Sequence, residues 1–368
     1  MNKGLRDYID HLERDMPAHV IRIKKEVSPE FEIPAILQKV ETRKKQPVLI
    51  FEKVRNLRGS LSKLPVIINL FGSRERMADA IGSTVQKLPL DYIAKEKPVP
   101  SVTVSKGKAK VKEIVEKGEA VDLFQLPFIT HHEMDLGPYI TAGSVWMKDP
   151  ETKWVNCAIL RIYVSDPKHL LVNFNPARHT QYIFQKYKKL GVPVPIIIVV
   201  GHHPAFYMGA QTKLLVHEPE IIGGIMGEPL ELTPSETWGE DVLIPAQSEI
   251  VIEAELSTSE VDIEAPFGEY TQYYGGQRLN PVAEVKAITM RKDSYYLDIM
   301  PGHADHLLLD APMIEAYLYN RIKAVVPGTM AVHMPVSGTA RLHAYVQIKK
   351  ANDAEPKTVM ATALSSDY

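Results

Sequence analysis

Two glutamates five residues apart, Glu264 and Glu269, bracket the segment Ala265-Pro-Phe-Gly268. Proline and glycine between them rule out a regular strand, so a turn can bring both carboxylates to one pocket. Ala265, Pro266 and Phe267 would partly desolvate them and raise a carboxyl pKa toward the range useful to a general acid. A solvated hairpin tip is the plainer reading of the same residues. Upstream, Trp154-Val-Asn156-Cys-Ala-Ile159-Leu160-Arg161 sets a carboxamide and a guanidinium in an otherwise apolar strand. A buried arginine there needs an anionic partner, because an unpaired buried charge is very costly. On an edge strand Arg161 would simply face water. Asn173-Phe-Asn175-Pro-Ala-Arg178-His179 opens a helix, and its last two residues suit an anion at the helix N-terminus as well as they suit solvent. Gly227-Glu228 closes a glycine-rich run that lacks the spacing and the Lys-Ser/Thr ending of a phosphate loop.

Other histidines compete. His202-His203-Pro204 follows a buried strand and reads better as a cap or core than as a phosphate contact. His303 and His306 have metal-like spacing, with Asp305 and Asp310 the acids nearby; His306 equally suits a helix cap. Neither a Gly-x-Ser-x-Gly elbow nor a His-Glu-x-x-His motif occurs.

The elements that must carry these residues change character along the chain. Leu5–Arg14 and Ile33–Val40 have helical periodicity, and Pro47–Val54 and Pro65–Phe71 read as short buried strands. Ser73 stands where an N-cap would open a helix over Arg74–Ile81. Beyond the proline-rich Lys95–Thr103 the texture is strand-dominated: Gly143–Lys148, Lys153–Ser165, Leu170–Asn175, Ile196–Val200, Glu249–Leu256, Val282–Met290 and Tyr295–Met300. A helix over His179–Leu190 interrupts it. Pro312–Val325 is expected to be helical with its proline in the first turn, followed by a strand over Arg341–Lys349 and a last helix from Lys357 to Leu364.

Composition limits the function classes. Forty-three basic and forty-five acidic residues leave a net charge of −2, without the basic excess of a nucleic-acid binder. The longest stretch free of polar side chains, Leu190–Gly201, contains two prolines and falls far short of the roughly 20 residues a membrane span needs. Met1–Arg14 reads as an amphipathic helix rather than a leader. One cysteine, Cys157, excludes an internal disulfide and a cysteine-based zinc cage. The expectation is a cytoplasmic protein of two or three domains.

Taken in order, Asn156…Arg161, the His179 segment, Gly227-Glu228 and Glu264-Ala-Pro-Phe-Gly-Glu269 resemble the UbiD-type decarboxylases, the 3-octaprenyl-4-hydroxybenzoate carboxy-lyase-like family that uses prenylated FMN. The resemblance covers nearly the whole chain. It implies a mixed α+β fold: an α/β N-terminal domain over residues 1–105, a central flavin-reductase-like split β-barrel over 106–305, and the start of a C-terminal α/β domain over 306–368, apparently cut short. It implies a catalytic set of Arg161, Glu264 and Glu269. Asn156, His179 and Glu228 would hold Mn²⁺ or Mg²⁺ against the cofactor phosphate, with K⁺ a further ion. Ile159, Leu160, Asn175 and Arg178 would complete the cofactor contacts, and His306 would meet a ring oxygen of a phenolic or heteroaromatic acid.

The implied reaction is reversible, non-oxidative decarboxylation of a small aromatic or α,β-unsaturated carboxylic acid. Its partners would be a prenyl-flavin synthase supplying the cofactor and copies of the chain itself, as a homodimer or larger homo-oligomer. Carboxylation, the same site run in reverse, is one alternative, and an FMN-dependent redox flavoprotein is another. A non-catalytic assembly subunit is a third. One geometric condition attaches to the resemblance. Positions 156 and 161 differ by an odd number and face opposite sides of a regular strand, so serving one flavin would require a bulge or a strand end between them.

Overall fold

Six strands close on themselves in the middle of the chain. The structure, a computed structural model, describes residues 3–366. Around the barrel the order is Ile250–Glu264, Val194–Val200, Tyr139–Lys148, Val155–Val164, His169–Val172 and Arg278–Met290, the last pairing back onto the first. Every pairing is antiparallel, and Ile114–Lys117 adds a seventh strand to the outside of Arg278–Met290. Closure removes the free edges that a sheet of this length would otherwise expose.

Strand alternation explains two cores. In Val194–Val200, residues 194, 196, 198 and 200 fill the barrel interior, while Ile197 and Val199 feed a second cluster between barrel and helices. Both faces are buried, which is why this segment is an unbroken apolar run rather than an alternating one.

The N-terminal sheet runs Val20–Ile23, Val48–Phe51, Val66–Ile68 and Tyr296–Leu297. Its last strand follows the barrel strands in sequence, yet it pairs in parallel with Val66–Ile68. The segment read as one more strand after the barrel therefore belongs to the N-terminal sheet and ties the ends of the barrel segment to it. Ser73 caps Arg74–Ala80, its side chain accepting from the Arg76 amide.

The helix expected to start at Pro312 starts eight residues earlier, as Ala304–Val325, with Pro312 in its interior. A partner outside the helix fixes its first turn. Asp305 is fully buried and accepts from the amides of Asn69 (2.9 Å) and Phe71 (2.8 Å) in the N-terminal domain. Beyond it come the hairpin Thr329–His333 with Tyr345–Ile348 and the helix Glu355–Leu364. Among the described residues no helix is long and apolar enough to cross a membrane.

Candidate active site

Arg161 lies on the strand Val155–Val164 with its guanidinium locked between the two glutamates. Its Nε and Nη2 donate to Glu264 Oε1 (3.0 Å) and Oε2 (2.9 Å), and its Nη1 donates to Glu269. Glu264 ends the strand Ile250–Glu264, and Ala265 at φ 82° turns the chain away from it. A two-residue ladder of Phe267–Gly268 with Tyr274–Gly275 then carries Glu269 back to the arginine. Glycine is required at 268, where a Cβ would stand 2.3 Å from His132 Nδ1. The segment from Glu264 to Gly268 is thus folded inward, and only the turn beyond it, at Tyr273, is left in solvent.

The wall around Glu264 is richer in donors than its apolar neighbours in sequence suggest. Tyr139 Oη donates to Oε1 (2.9 Å), and Asn280 Nδ2 (3.0 Å) and Asn173 Nδ2 (3.5 Å) donate to Oε2. Tyr139 and Asn173 lie far from Glu264 in sequence, and Asn280 comes from the strand paired with its own. The Phe267 ring lies 5.0 Å under the Arg161 guanidinium and 4.5 Å from the Tyr139 ring. Burial pulls the Arg161 pKa down, but the two carboxylates outweigh it and hold it above its usual value. Burial and the neighbouring Glu264 charge push the Tyr139 phenol well up, so it stays a donor. Glu264 has no exposed side-chain surface, whereas Glu269 keeps 29%.

A cavity of about 110 Å³ opens beside this ion triad. Ile159, Leu160 and Arg161 line it from one strand, Thr141 from its neighbour, Gln211 from the turn after Pro204–Gly209 and His306 from the helix Ala304–Val325. Thr141 sits in a register shift between Ile140 and Gly143, the kind of bulge that re-aims a side chain. The break that positions 156 and 161 were expected to need is therefore absent from their own strand and present in its neighbour. Asn156 and Arg161 lie about 16 Å apart along the strand. A ligand touching both must be long.

Around Asn156 a second polar group assembles. With its carboxamide oriented to suit its neighbours, Nδ2 donates to Glu218 Oε1 (3.1 Å) and Oδ1 accepts from the Cys157 amide (3.2 Å). His179 Nδ1 lies 3.8 Å from Glu218 Oε1, and the His179 ring packs edge-on to Trp154 at 5.1 Å. The Cys157 amide also donates to Glu218. Burial raises the Glu218 carboxyl to about 7, against the pull of His179 and that amide.

Glu228, the expected third member, stands elsewhere, accepting from the Lys3 amide (2.8 Å). The reason is helical. Glu218–Met226 is one helix, with Glu218 its first residue and Gly227 its left-handed C-cap at φ 76°. At 1.5 Å per residue, Glu218 and Glu228 lie about 15 Å apart at opposite ends. The helix is pinned by close approach to the backbone ahead of it. A Cβ on Gly224 would stand 1.9 Å from the Lys97 carbonyl oxygen, and Val99 donates to the Glu220 carbonyl (2.9 Å). Glu218 did carry a sequence signal, an acidic residue before proline at a helix start.

The remaining expected residues are placed as follows. Arg178 is the N-cap of His179–Leu190, and the exposed Asn175 folds its side chain onto the Ala177 amide (3.1 Å). His203 caps Pro204–Gly209, and the buried His202 stacks on Phe206 at 4.4 Å. His303 pairs with Glu41, and among the described residues no group of three His, Cys, Asp or Glu side chains could hold a metal. The Asn156–His179–Glu218 group adds a carboxamide to two such residues. His306 reaches the Arg161 cavity, and its Nδ1 accepts from the Gly302 amide (3.4 Å) at the helix start. It lines the cavity and ties down the turn ahead of the helix without capping it.

Three family descriptions match the chain in succession. They are the 3-octaprenyl-4-hydroxybenzoate carboxy-lyase N-terminal domain over residues 10–95, its Rift-related domain over 102–304 and its C-terminal domain over 308–368. The anhydromevalonate phosphate decarboxylase of Methanosarcina mazei is 30% identical over 362 residues, 98% of this chain and 80% of that protein. Among solved structures, an evolved dimeric form of the UbiD-class enzyme HmfF from Pelotomaculum thermopropionicum, in complex with prenylated FMN, superposes with a TM-score of 0.93. It is 36% identical and covers 100% of this chain and 83% of that one. A 3,4-dihydroxybenzoic acid decarboxylase from Enterobacter cloacae gives a TM-score of 0.92 at 26% identity, over 99% of this chain and 79% of that one.

Proposed function

The chain belongs to the UbiD family of carboxy-lyases, and on that footing we propose that it removes CO₂ reversibly from an aromatic or α,β-unsaturated acid with prenylated FMN in the Arg161 cavity. The observation that carries this reading is the half-buried Arg161 clamped by Glu264 and Glu269 at the wall of that cavity. When bound, the flavin supplies the electron sink for the charge left on carbon, which no side chain can delocalise.

The chain's own residues do the rest. Arg161 sets the distance between the two carboxylates and balances their charge, a bidentate task that lysine would fill poorly. Glu269, the more exposed of the pair, holds at its carboxyl oxygen the proton that replaces CO₂. Glu264, saturated with donors, anchors the arginine. Ile159 and Leu160 keep water from the reacting carbon.

Asn156, His179 and Glu218 fit a divalent ion. Among the described residues the buried Glu218 carboxylate has only the His179 imidazole as a nearby counter-charge, and it is poorly compensated without an ion. With the Asn156 carboxamide turned the other way, so that its oxygen faces Glu218, amide oxygen, imidazole nitrogen and carboxylate together would suit Mn²⁺ or Mg²⁺ better than a thiolate-seeking metal. Arg178 would lie beside the phosphate that the ion holds. The long gap to Arg161 then matches a ligand with its phosphate at one end of the strand and its ring at the other. On the same reading a prenyl-flavin synthase supplies the cofactor in the cytoplasm, and the working form is a homo-oligomer.

Relatives named for a phosphate-bearing acid and for a dihydroxybenzoic acid bracket the substrate class. The test is Glu269→Gln in protein co-produced with a prenyl-flavin synthase. The flavin absorbance should be retained while turnover falls by about 10² or more, because an amide has no proton to give. Full turnover would remove the assignment.

A further inference from the structure

The Arg161 cavity holds a second guanidinium for which decarboxylation itself has no task. Arg341 lines the same space, its guanidinium 4.6 Å over the Tyr270 ring. It follows Thr339 and Ala340, two residues at positive φ (55° and 52°), in a tight turn where the Arg341 and Leu342 amides both donate to the Gly338 carbonyl. That turn aims the side chain back at the long helix Ala304–Val325, where it meets Asp310.

The pairing with Asp310 is lopsided. Arg341 Nε (3.0 Å) and Nη2 (2.5 Å) both donate to Oδ2, while the buried Oδ1 has no partner among the described residues. Arg341 Nη1 has no protein acceptor among them either. Burial raises the Asp310 carboxyl above its usual pKa, against the pull of Arg341 and, more weakly, of Lys213. The neighbouring His306 accepts a backbone amide at Nδ1, so in its neutral form the proton sits on Nε2. Among the described residues two donors without protein partners, Arg341 Nη1 and His306 Nε2, therefore share a cavity with the triad. Arg161 is already matched there by two carboxylates, whereas Arg341 is not.

We propose that Arg341, with His306 beside it, binds a second anionic group of the substrate, a carboxylate or a phosphate, remote from the carboxylate that leaves as CO₂. The substrate is then a diacid or a phosphorylated acid rather than a simple monoacid. This rests on the reading of the cavity as the decarboxylation site.

The experiment is a calorimetric titration of the flavin-loaded protein with three probes: benzene-1,4-dicarboxylate, 4-phosphonobenzoate and 4-methylbenzoate. Wild type should bind at least one dianion about tenfold or more tighter than the monoacid, as a charge-assisted contact implies. The better dianion identifies carboxylate or phosphate as the source. Arg341→Gln should erase that preference and leave monoacid affinity within about twofold, with the flavin spectrum unchanged. Arg341→Lys, which keeps the charge but not the fork, should retain part of it. Should Arg341→Gln fail to fold, Arg341→Lys decides: a reduced dianion-to-monoacid ratio supports the assignment, and an unchanged ratio overturns it. A wild type indifferent to the second charge also overturns it. Either result leaves the proposed decarboxylation standing if Glu269→Gln still abolishes turnover. Dianion preference that survives beside a fully active Glu269→Gln would instead sink the assignment of Glu269 alone.

Discussion

Glu264, whose side chain has no exposed surface, accepts from Tyr139, Asn173, Asn280 and twice from Arg161. Such a carboxylate is costly to strip of even one donor, because its charge has no solvent to fall back on. Tyr139→Phe should lower the unfolding free energy by about 1.5–3 kcal/mol, the usual worth of a hydrogen bond to a charged group. Denaturant unfolding of the flavin-free protein would measure it. A loss below about 0.5 kcal/mol would mean that the phenol does not support Glu264. The two glutamates and the arginine were legible in the sequence, because Pro266 and Gly268 between the acids demand a turn. Tyr139 and Asn280 were not, since nothing local marks a tyrosine or an asparagine as the partner of a carboxylate far away in the chain.

At the scale of elements, the helix Glu218–Met226 decides which glutamate joins Asn156 and His179. Its N-terminal end, pinned by the contacts of Gly224 and Val99 with their neighbours, delivers Glu218 to the site, and its C-terminal glycine directs Glu228 to Lys3. If this group holds the proposed ion, Glu218→Gln should cut bound divalent metal by about tenfold or more in protein purified with Mn²⁺, since removing a charged ligand weakens a hard cation most. Glu228→Gln should leave the metal content unchanged. Elemental analysis of the two variants reads this directly, and the reverse pattern would restore Glu228. The sequence showed a glycine-rich run with a glutamate at each end. Which end faces the strand depends on helix phase and direction, and these are set only when the helix docks.

Across the whole molecule, buried titratable groups oppose one another. Burial lowers His202 and His306 to about 3 and His203 well below 6.5, whereas it raises Glu249 and Asp305 to about 7. The histidines stay neutral in the fold but protonate near 6.5 when unfolded, so their contribution is lost as pH falls through the range down to about 3. The two carboxyls work the other way: their contribution is lost as pH rises through about 7 and is complete below about 4. Between about pH 5 and 6.5 the three histidines are opposed by only two carboxyls, so stability should fall gently with falling pH, by at most about 1.4 kcal/mol per pH unit. Below about pH 4 the histidines act unopposed and stability should fall by roughly 4 kcal/mol per pH unit, three groups at about 1.4 each. Urea unfolding at a series of pH values tests this, and His202→Gln should make the acid limb shallower by about a third. An unchanged limb would mean that His202 is not one of its causes.

What the sequence determined by itself is local or periodic. It marked the apolar strands of the barrel, the capped helix at Ser73, the turn that joins Glu264 to Glu269 and the arginine that needs them. These follow from side-chain volume, φ preference and the cost of an unpaired charge, all of which act over a few residues. Only the tertiary structure decided that Tyr296–Leu297 joins the N-terminal sheet, that Glu218 rather than Glu228 meets His179, and that Arg341 enters the Arg161 cavity. Each depends on how separately formed elements dock, and docking is decided by the summed burial of surfaces distant in sequence, which no local pattern encodes.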